Sequence, residues 1–269
     1  THGRRARAVR ADAARDAAVA RRQAREVCIK ALTSVAAARV CDNRGMGSLH
    51  LVRHGQASLG AADYDQLSAL GERQCLRLGE HLHQRGQRFE AVLSGTLKRH
   101  RQSVAAIVRG MRGEAPPAIE MPQLDEFDGE ALMRAISPGP LTRPHTPDEV
   151  RAHFRRLRDG LHAWMAGRTA PQGMPSYGEF RAGVEAVLDR VRTEFADGDV
   201  LVVSSGGPIS TAVSLVLGTT AETSIELNMR LRNSAVSEFA VMRRKLALVS
   251  FNTVPHLVAP EFSSWVTHA

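Results

Sequence analysis

From Met46 onward, short apolar runs alternate with amphipathic stretches, and that alternation constrains the fold more than any other feature of the chain. The runs SLHLVR (48–53), FEAVLSG (89–95), PAIEMPQL (117–124), DVLVVSS (199–205), SAVSEFAV (234–241) and LALVSFN (246–252) have the length and content of strands. Between them, LSALGERQCLRLGEHLHQRG (67–86) places Leu70, Leu78 and Leu82 with Gln74 and Cys75 at helical spacing, and residues 96–111 and 177–195 behave similarly. Strands alternating with helices predict a mostly parallel sheet covered on both faces. The last two runs are joined by MRRK, too short for a crossover, so one late strand is expected to run antiparallel.

Residues 130–175 interrupt this rhythm. SPGP, TRPHTP and TAPQGMP bracket one helical stretch, DEVRAHFRRLRDGLHAWMAG, which predicts a helical insertion over one sheet edge, a lid. Its stripe of Phe154, Leu157, Leu161 and Trp164 reads as packing.

The charge of +8 is localised. Residues 1–45 hold eleven Lys/Arg against Asp12, Asp16, Glu26 and Asp42, which leaves 46–269 close to neutral. Any electrostatic case for nucleic acid therefore concerns only the first 45 residues, and nucleic acid is not an expected partner of the domain. We read 1–45 as a basic Ala/Arg-rich leader, flexible or not native, with Met46 the expected physiological start and 46–269 the folded domain. Nothing approaches an uninterrupted apolar span of about 18 residues, so no membrane helix is expected. Cys28, Cys41 and Cys75 are scattered, which fits a reduced, cytoplasmic compartment.

Polar groups collect at the predicted strand ends. HLVRHGQASLG delivers Arg53 and His54 into Gly55, although on these letters alone a surface loop fits as well. The second run leads into LSGTLKRHRQS, with Arg99 in the first turn of the next helix. The third ends at LDEFDGE, with Glu126 just beyond it. The fourth ends at SSGGPI, where Ser205, Gly206 and Pro208 open another helix whose free N–H groups favour an anion. Two guanidiniums, a helix start, an imidazole and a carboxyl group describe a phosphoryl-transfer site. His81 and His83 lie two apart on a helix and are poor joint metal ligands. His100 is expected to face away from Arg99 into solvent, and Ser58 could serve a phosphate or a turn. No G-x-S-x-G motif supports a serine hydrolase.

Arg53-His54-Gly55, LSALGERQ, LKRHRQS, LDE and VVSSGGPI, in that order, closely resemble the histidine phosphatase (phosphoglycerate mutase-like) superfamily, over essentially all of 46–256. The resemblance implies a three-layer α/β/α sandwich with a six-stranded, mostly parallel mixed sheet. By position it implies His54 as the nucleophile of a phosphohistidine, Arg53 and Arg99 as phosphoryl ligands, and Glu126 as proton donor and acceptor. It implies no metal and no other cofactor, and a small phosphorylated molecule or phosphate as partner. One position departs. The family's fourth strand usually ends Ser-His-Gly, and here Ser205 stands where the second histidine would be. A hydroxyl donates one hydrogen bond but carries no charge, so the site could be slower, recruit another cation, or only bind phosphate. His256, shortly past the last strand, is a candidate to approach that gap. The expected activity is metal-independent phosphomonoester hydrolysis. The alternatives are an impaired phospholigand-binding or regulatory protein and, third, a phosphoglycerate-type mutase. No motif specifies a substrate or an oligomeric state.

Overall fold

Val200, Leu201, Val202 and Val203 are all fully buried, and they show how the molecule is layered. A strand with an unbroken apolar run needs cover on both faces. Here it is a central strand of a six-stranded sheet with helices above and below. The computed structural model describes residues 46–58, 65–141 and 145–268, within a compact unit spanning Met46–Ala269. The leader read at 1–45, with Cys28 and Cys41, lies outside the described residues.

In chain order the elements are β1 (Gly47–Arg53), α1 (Ala69–Gln84), β2 (Ala91–Ser94), α2 (Lys98–Gly110), β3 (Ala118–Glu120), α3 (Gly129–Ile136), α4 (Pro147–Met165), α5 (Tyr177–Glu194), β4 (Val200–Ser204), α6 (Gly206–Leu217), α7 (Ala221–Arg230), β5 (Val236–Met242) and β6 (Lys245–Thr253). The sheet order is β3-β2-β4-β1-β5-β6. β4 pairs in parallel with both β1 and β2, and β2 with β3. β5 is antiparallel to β1 and to β6, so it alone runs against the rest.

Alternate residues of the same strands feed two cores. Leu49, Leu51, Leu93, Val200 and Val202 pack with Val184, Val187 and Val191 of α5 and with Ile209 and Val213 of α6. Val52, Val92, Leu201 and Val203 pack with Cys75, Leu78 and Leu82 of α1 and with Val104 and Ile107 of α2. Period-two alternation in the strands and 3.6-residue periodicity in the helices thus meet on each face.

The inserted region holds two helices rather than one. α4 starts at a capping box, Thr146 with Glu149, and α5 at another, Ser176 with Glu179. α3 was not expected; Asp128 caps it by accepting from the N–H groups of Glu130 and Ala131. α7 was also unforeseen, although its signals are local. Gly218 ends α6 in a left-handed conformation (φ 65°), and the Thr220 side chain then accepts from Thr223 N–H. The third strand is shorter than expected, because Pro122, which has no N–H to donate, opens a 3₁₀ turn over Pro122–Leu124.

The α4 stripe packs mostly as expected. Trp164 and Leu161 are buried with Leu132 of α3 and Ile225 of α7, and Leu157 packs at their edge. Phe154 remains exposed, because this satellite core covers only the C-terminal half of α4. The Trp164 indole N–H donates to the Pro175 carbonyl at 3.0 Å, which ties α4 to the start of α5. Trp164→Ala is therefore expected to lower the unfolding free energy by about 3–5 kcal/mol in urea denaturation. A loss below about 1 kcal/mol would show that this cluster does not stabilise the fold.

Candidate active site

Register alone brings the first two polar groups together. Arg53 of β1 pairs with Ser204 of β4, so the chain leaves both strands side by side as Arg53-His54 and Ser204-Ser205. The His54 N–H donates to the Ser204 carbonyl at 2.9 Å, and the His54 carbonyl accepts from Ser234 N–H at 3.2 Å. Arg53 is buried, with Nη1 donating to the Leu231 carbonyl at 2.5 Å.

The His54 ring is held in one tautomer. Nδ1 lies 2.7 Å from the Gly55 carbonyl, which can only accept, so Nδ1 carries the proton and Nε2 keeps its lone pair. Burial pushes the His54 pKa well below the usual imidazole value. The nearby Arg53 and Arg99 cations, and His100, push it the same way. The ring is therefore neutral at physiological pH.

Arg99 enters from the first turn of α2. Its Nη1 donates to Asp65 Oδ1 at 2.8 Å, and Nη2 lies 3.4 Å from Ser205 Oγ. Asp65 also accepts from Lys98 N–H at 2.9 Å, so one carboxylate both caps α2 and steers its arginine. Ser103 fastens the other side. Its hydroxyl donates to the Arg99 carbonyl at 2.7 Å and accepts from Gly55 N–H at 3.1 Å. Neither Asp65 nor Ser103 was picked out from the sequence, because helix spacing alone does not show that they meet the His54 loop.

Glu126 follows the 3₁₀ turn and reaches the start of α6. Gly207 N–H lies 3.0 Å from Glu126 Oε1 and 3.2 Å from Oε2. A Cβ at Gly207 would stand 2.2 Å from Oε1, so the carboxyl approaches as closely as it does only because that residue is glycine. Burial raises the Glu126 pKa, against the pull of Arg99 and Arg53. The charges of the same two guanidiniums thus act on both His54 and Glu126, which the fold buries close to them. Ser205 is the N-cap residue of α6 and is fully buried, but its side chain does not cap that helix, and Gly206 is the first helical residue.

Two expectations are corrected. His100 is fully buried, not solvated, and its Nε2 lies 2.6 Å from Ser205 Oγ. The N-terminus of α2 sits over the strand ends, and side chains of a first turn lean toward that end, so His100 points inward beside Arg99. His256 does not take the gap at Ser205. Its Nε2 pairs with Ser234 Oγ at 2.9 Å, behind the backbone of His54. Ser58 serves a turn, donating from N to the Gln66 carbonyl and from Oγ to the Leu67 carbonyl.

The profile of the histidine phosphatase superfamily (branch 1) matches residues 49–254, and the chain belongs to that superfamily. No curated protein matches significantly. Among solved structures, phosphoserine phosphatase from Entamoeba histolytica, in complex with 3-phosphoglyceric acid, is 19% identical. The alignment covers 79% of this chain and 100% of that one, with a TM-score of 0.57. Phosphoglycerate mutase from Bacillus anthracis is 16% identical over 80% of this chain and 96% of its own, with a TM-score of 0.57. Alpha-ribazole phosphatase from Shigella flexneri is 20% identical over 77% and 96%, with a TM-score of 0.55. These likenesses establish a shared fold, an α/β sandwich on a six-stranded mixed sheet. Among the described residues, no helix is long and apolar enough to cross a membrane.

The buried His256 makes a prediction about stability. Burial first, then His81 and Arg77, push its pKa down to about 3. The unfolded chain takes up a proton near pH 6.5 and the folded chain does not, so stability is complete above about pH 6.5 and falls as pH drops toward 3. Urea midpoints measured from pH 7.5 to 4 should fall with acidification, and His256→Gln should flatten part of that slope. An unchanged slope would contradict the assignment.

Proposed function

We propose that this protein is a metal-independent phosphomonoester hydrolase acting through a phosphohistidine on His54. The observation that carries the reading is the His54 ring, buried and neutral, with Nδ1 tied to the Gly55 carbonyl and two arginines beside it. The Nε2 lone pair attacks phosphorus while the ester P–O bond breaks. Arg53 and Arg99 hold the phosphoryl oxygens and offset their developing charge. The Ser205 hydroxyl and the Gly206 backbone N–H complete the phosphate cradle at the start of α6.

Glu126 protonates the departing oxygen, a task its raised pKa suits. As a carboxylate it then removes a proton from water. That water attacks phosphorus, the N–P bond breaks, phosphate leaves, and both His54 and Glu126 return to their starting states. The substrate is a small phosphorylated molecule admitted beside the inserted helices. A cytoplasmic setting belongs to the same reading, in keeping with the free thiol of Cys75 buried in the core.

A second reading has one observation behind it. Ser205 occupies the place of the family's second histidine, so the protein could bind phospholigands without turning them over. The experiment that separates the two is a rapid alkaline quench during hydrolysis of an aryl phosphate, followed by peptide mapping. The hydrolase reading expects phosphate on His54, and a turnover loss of at least about 10³-fold in His54→Ala. Normal turnover in that variant overturns it, and ligand binding without hydrolysis by the wild type favours the second reading.

A further inference from the structure

Ser205 has a partner that the reaction described so far does not use. His100 Nε2 is 2.6 Å from the Ser205 hydroxyl, and on the other side of the ring Nδ1 lies 3.5 Å from Asp125 Oδ1. The Asp125 carboxylate is fixed in turn by Thr96, through its N–H at 2.6 Å and its hydroxyl, and by Leu97 N–H at 3.3 Å. The three residues come from three places: the first turn of α2, the end of β4 and the loop after β3. His100 and Ser205 are fully buried and Asp125 is partly exposed, and the His100 ring lies 5.7 Å, centre to centre, from that of His54.

The backbone is shaped around this ring. A Cβ at Gly95 would stand 2.2 Å from His100 Nδ1 and 2.6 Å from Asp125 Oδ1, so any other residue there would displace the imidazole or its acid. Any buried imidazole needs polar neighbours for its nitrogens. What sets this ring apart is that its hydrogen-bonding neighbour is Ser205, at the end of β4 beside His54, while Asp125 faces its other nitrogen at 3.5 Å.

We propose that His100 takes over, through the Ser205 hydroxyl, the duty of the histidine missing at position 205. With both ring nitrogens protonated, Nδ1–H faces Asp125 and Nε2–H donates to Ser205 Oγ. The hydroxyl hydrogen is then free to point at a phosphoryl oxygen held by Arg53 and Arg99. In the neutral ring the acid keeps the proton on Nδ1, Nε2 becomes an acceptor, and the hydroxyl turns back toward it. The cation thus makes Ser205 a donor to the phosphoryl group. The two states differ by one proton on Nε2, exchanged with solvent, and none passes to the phosphoryl group. Burial above all holds the His100 pKa below the usual imidazole value, with Asp125 and Asp65 pulling it up and Arg99 adding to the downward push. Beside the neutral His54 the resting ring is therefore uncharged, and a dianion in the cradle is what favours the cation. His100 is a positioning residue in this scheme, and the proposal rests on the phosphoryl-transfer reading.

The test compares wild type, His100→Ala, His100→Gln, Ser205→His and the double variant His100→Ala/Ser205→His. Each is measured for kcat and KM on an aryl phosphate across pH 5–9, for orthovanadate affinity by calorimetry, and for melting temperature. His100→Ala should lose about 10²-fold or more in kcat with KM changed only a few-fold. Its pH profile should lack the limb along which wild-type kcat falls as pH rises and His100 deprotonates. The double variant moves the imidazole to the strand end within the same space, and should regain at least about tenfold in both kcat and vanadate affinity. His100→Gln, close in size but unable to ionise, should keep the wild-type melting temperature and still lack that limb. It decides the question if His100→Ala does not fold.

Wild-type kcat and pH profile in His100→Gln would overturn the proposal. So would a folded double variant no better than His100→Ala, or phosphate trapped on Ser205 instead of His54. If the wild type hydrolyses no phosphomonoester, the hydrolase reading fails. The vanadate affinities then still decide for His100, with a fall in His100→Ala and recovery in the double variant supporting it and equal affinities overturning it.

Discussion

The pairing of β1 with β4, in parallel and with Arg53 opposite Ser204, is the interaction on which the rest of this site depends. It sets His54 and Ser205 side by side one residue beyond the last rung. Since β2 pairs with the other edge of β4, it also brings α2 and its Arg99 to the same rim. A slip of one residue would exchange the two faces of the strand and send Val52 and Val203 out of their core. Hydrophobic burial on both faces of the sheet therefore enforces the geometry of a polar cleft that contributes little to that burial.

The cleft works against the ordinary cost of burying charge. Arg53 and Arg99 are nearly inaccessible, and their positive charge helps keep the neighbouring His54 imidazole neutral. Glu126 has the opposite history, because burial favours its protonated form while the arginines favour its carboxylate. One electrostatic environment thus prepares a neutral base and a carboxyl group with a raised pKa, the two states that a nucleophile and a proton donor need. Fixed partners hold each group: Gly55 for His54, Asp65 for Arg99, Leu231 for Arg53 and Gly207 for Glu126.

Much of the fold was legible in the sequence because it rests on local periodicity. The apolar run VLVV and the helical spacing of Leu78 and Leu82 each point to one arrangement, and the short MRRK link forces an antiparallel return. α3 and α7 were not foreseen, although Asp128 and Gly218–Thr220 carry ordinary capping signals; both helices are short and lie in stretches read as loop. At the cleft, Arg53, His54, Arg99, Ser205 and Glu126 were readable because each sits at the end of a recognisable element. His100 was not, since helical spacing reports which residues share a face but not where a helix terminus is aimed. Asp125 and Asp65 were missed for a related reason, their importance lying in contacts across about 25–35 positions of chain.

A crystal structure of the protein with orthovanadate would test the central claim most directly. The account predicts a five-coordinate vanadium bonded to His54 Nε2, with equatorial oxygens within hydrogen-bond reach of Arg53, Arg99 and Ser205 and Glu126 at the opposite apex. Vanadate bound away from His54, or bound with Glu126 or Arg99 out of reach, would contradict it.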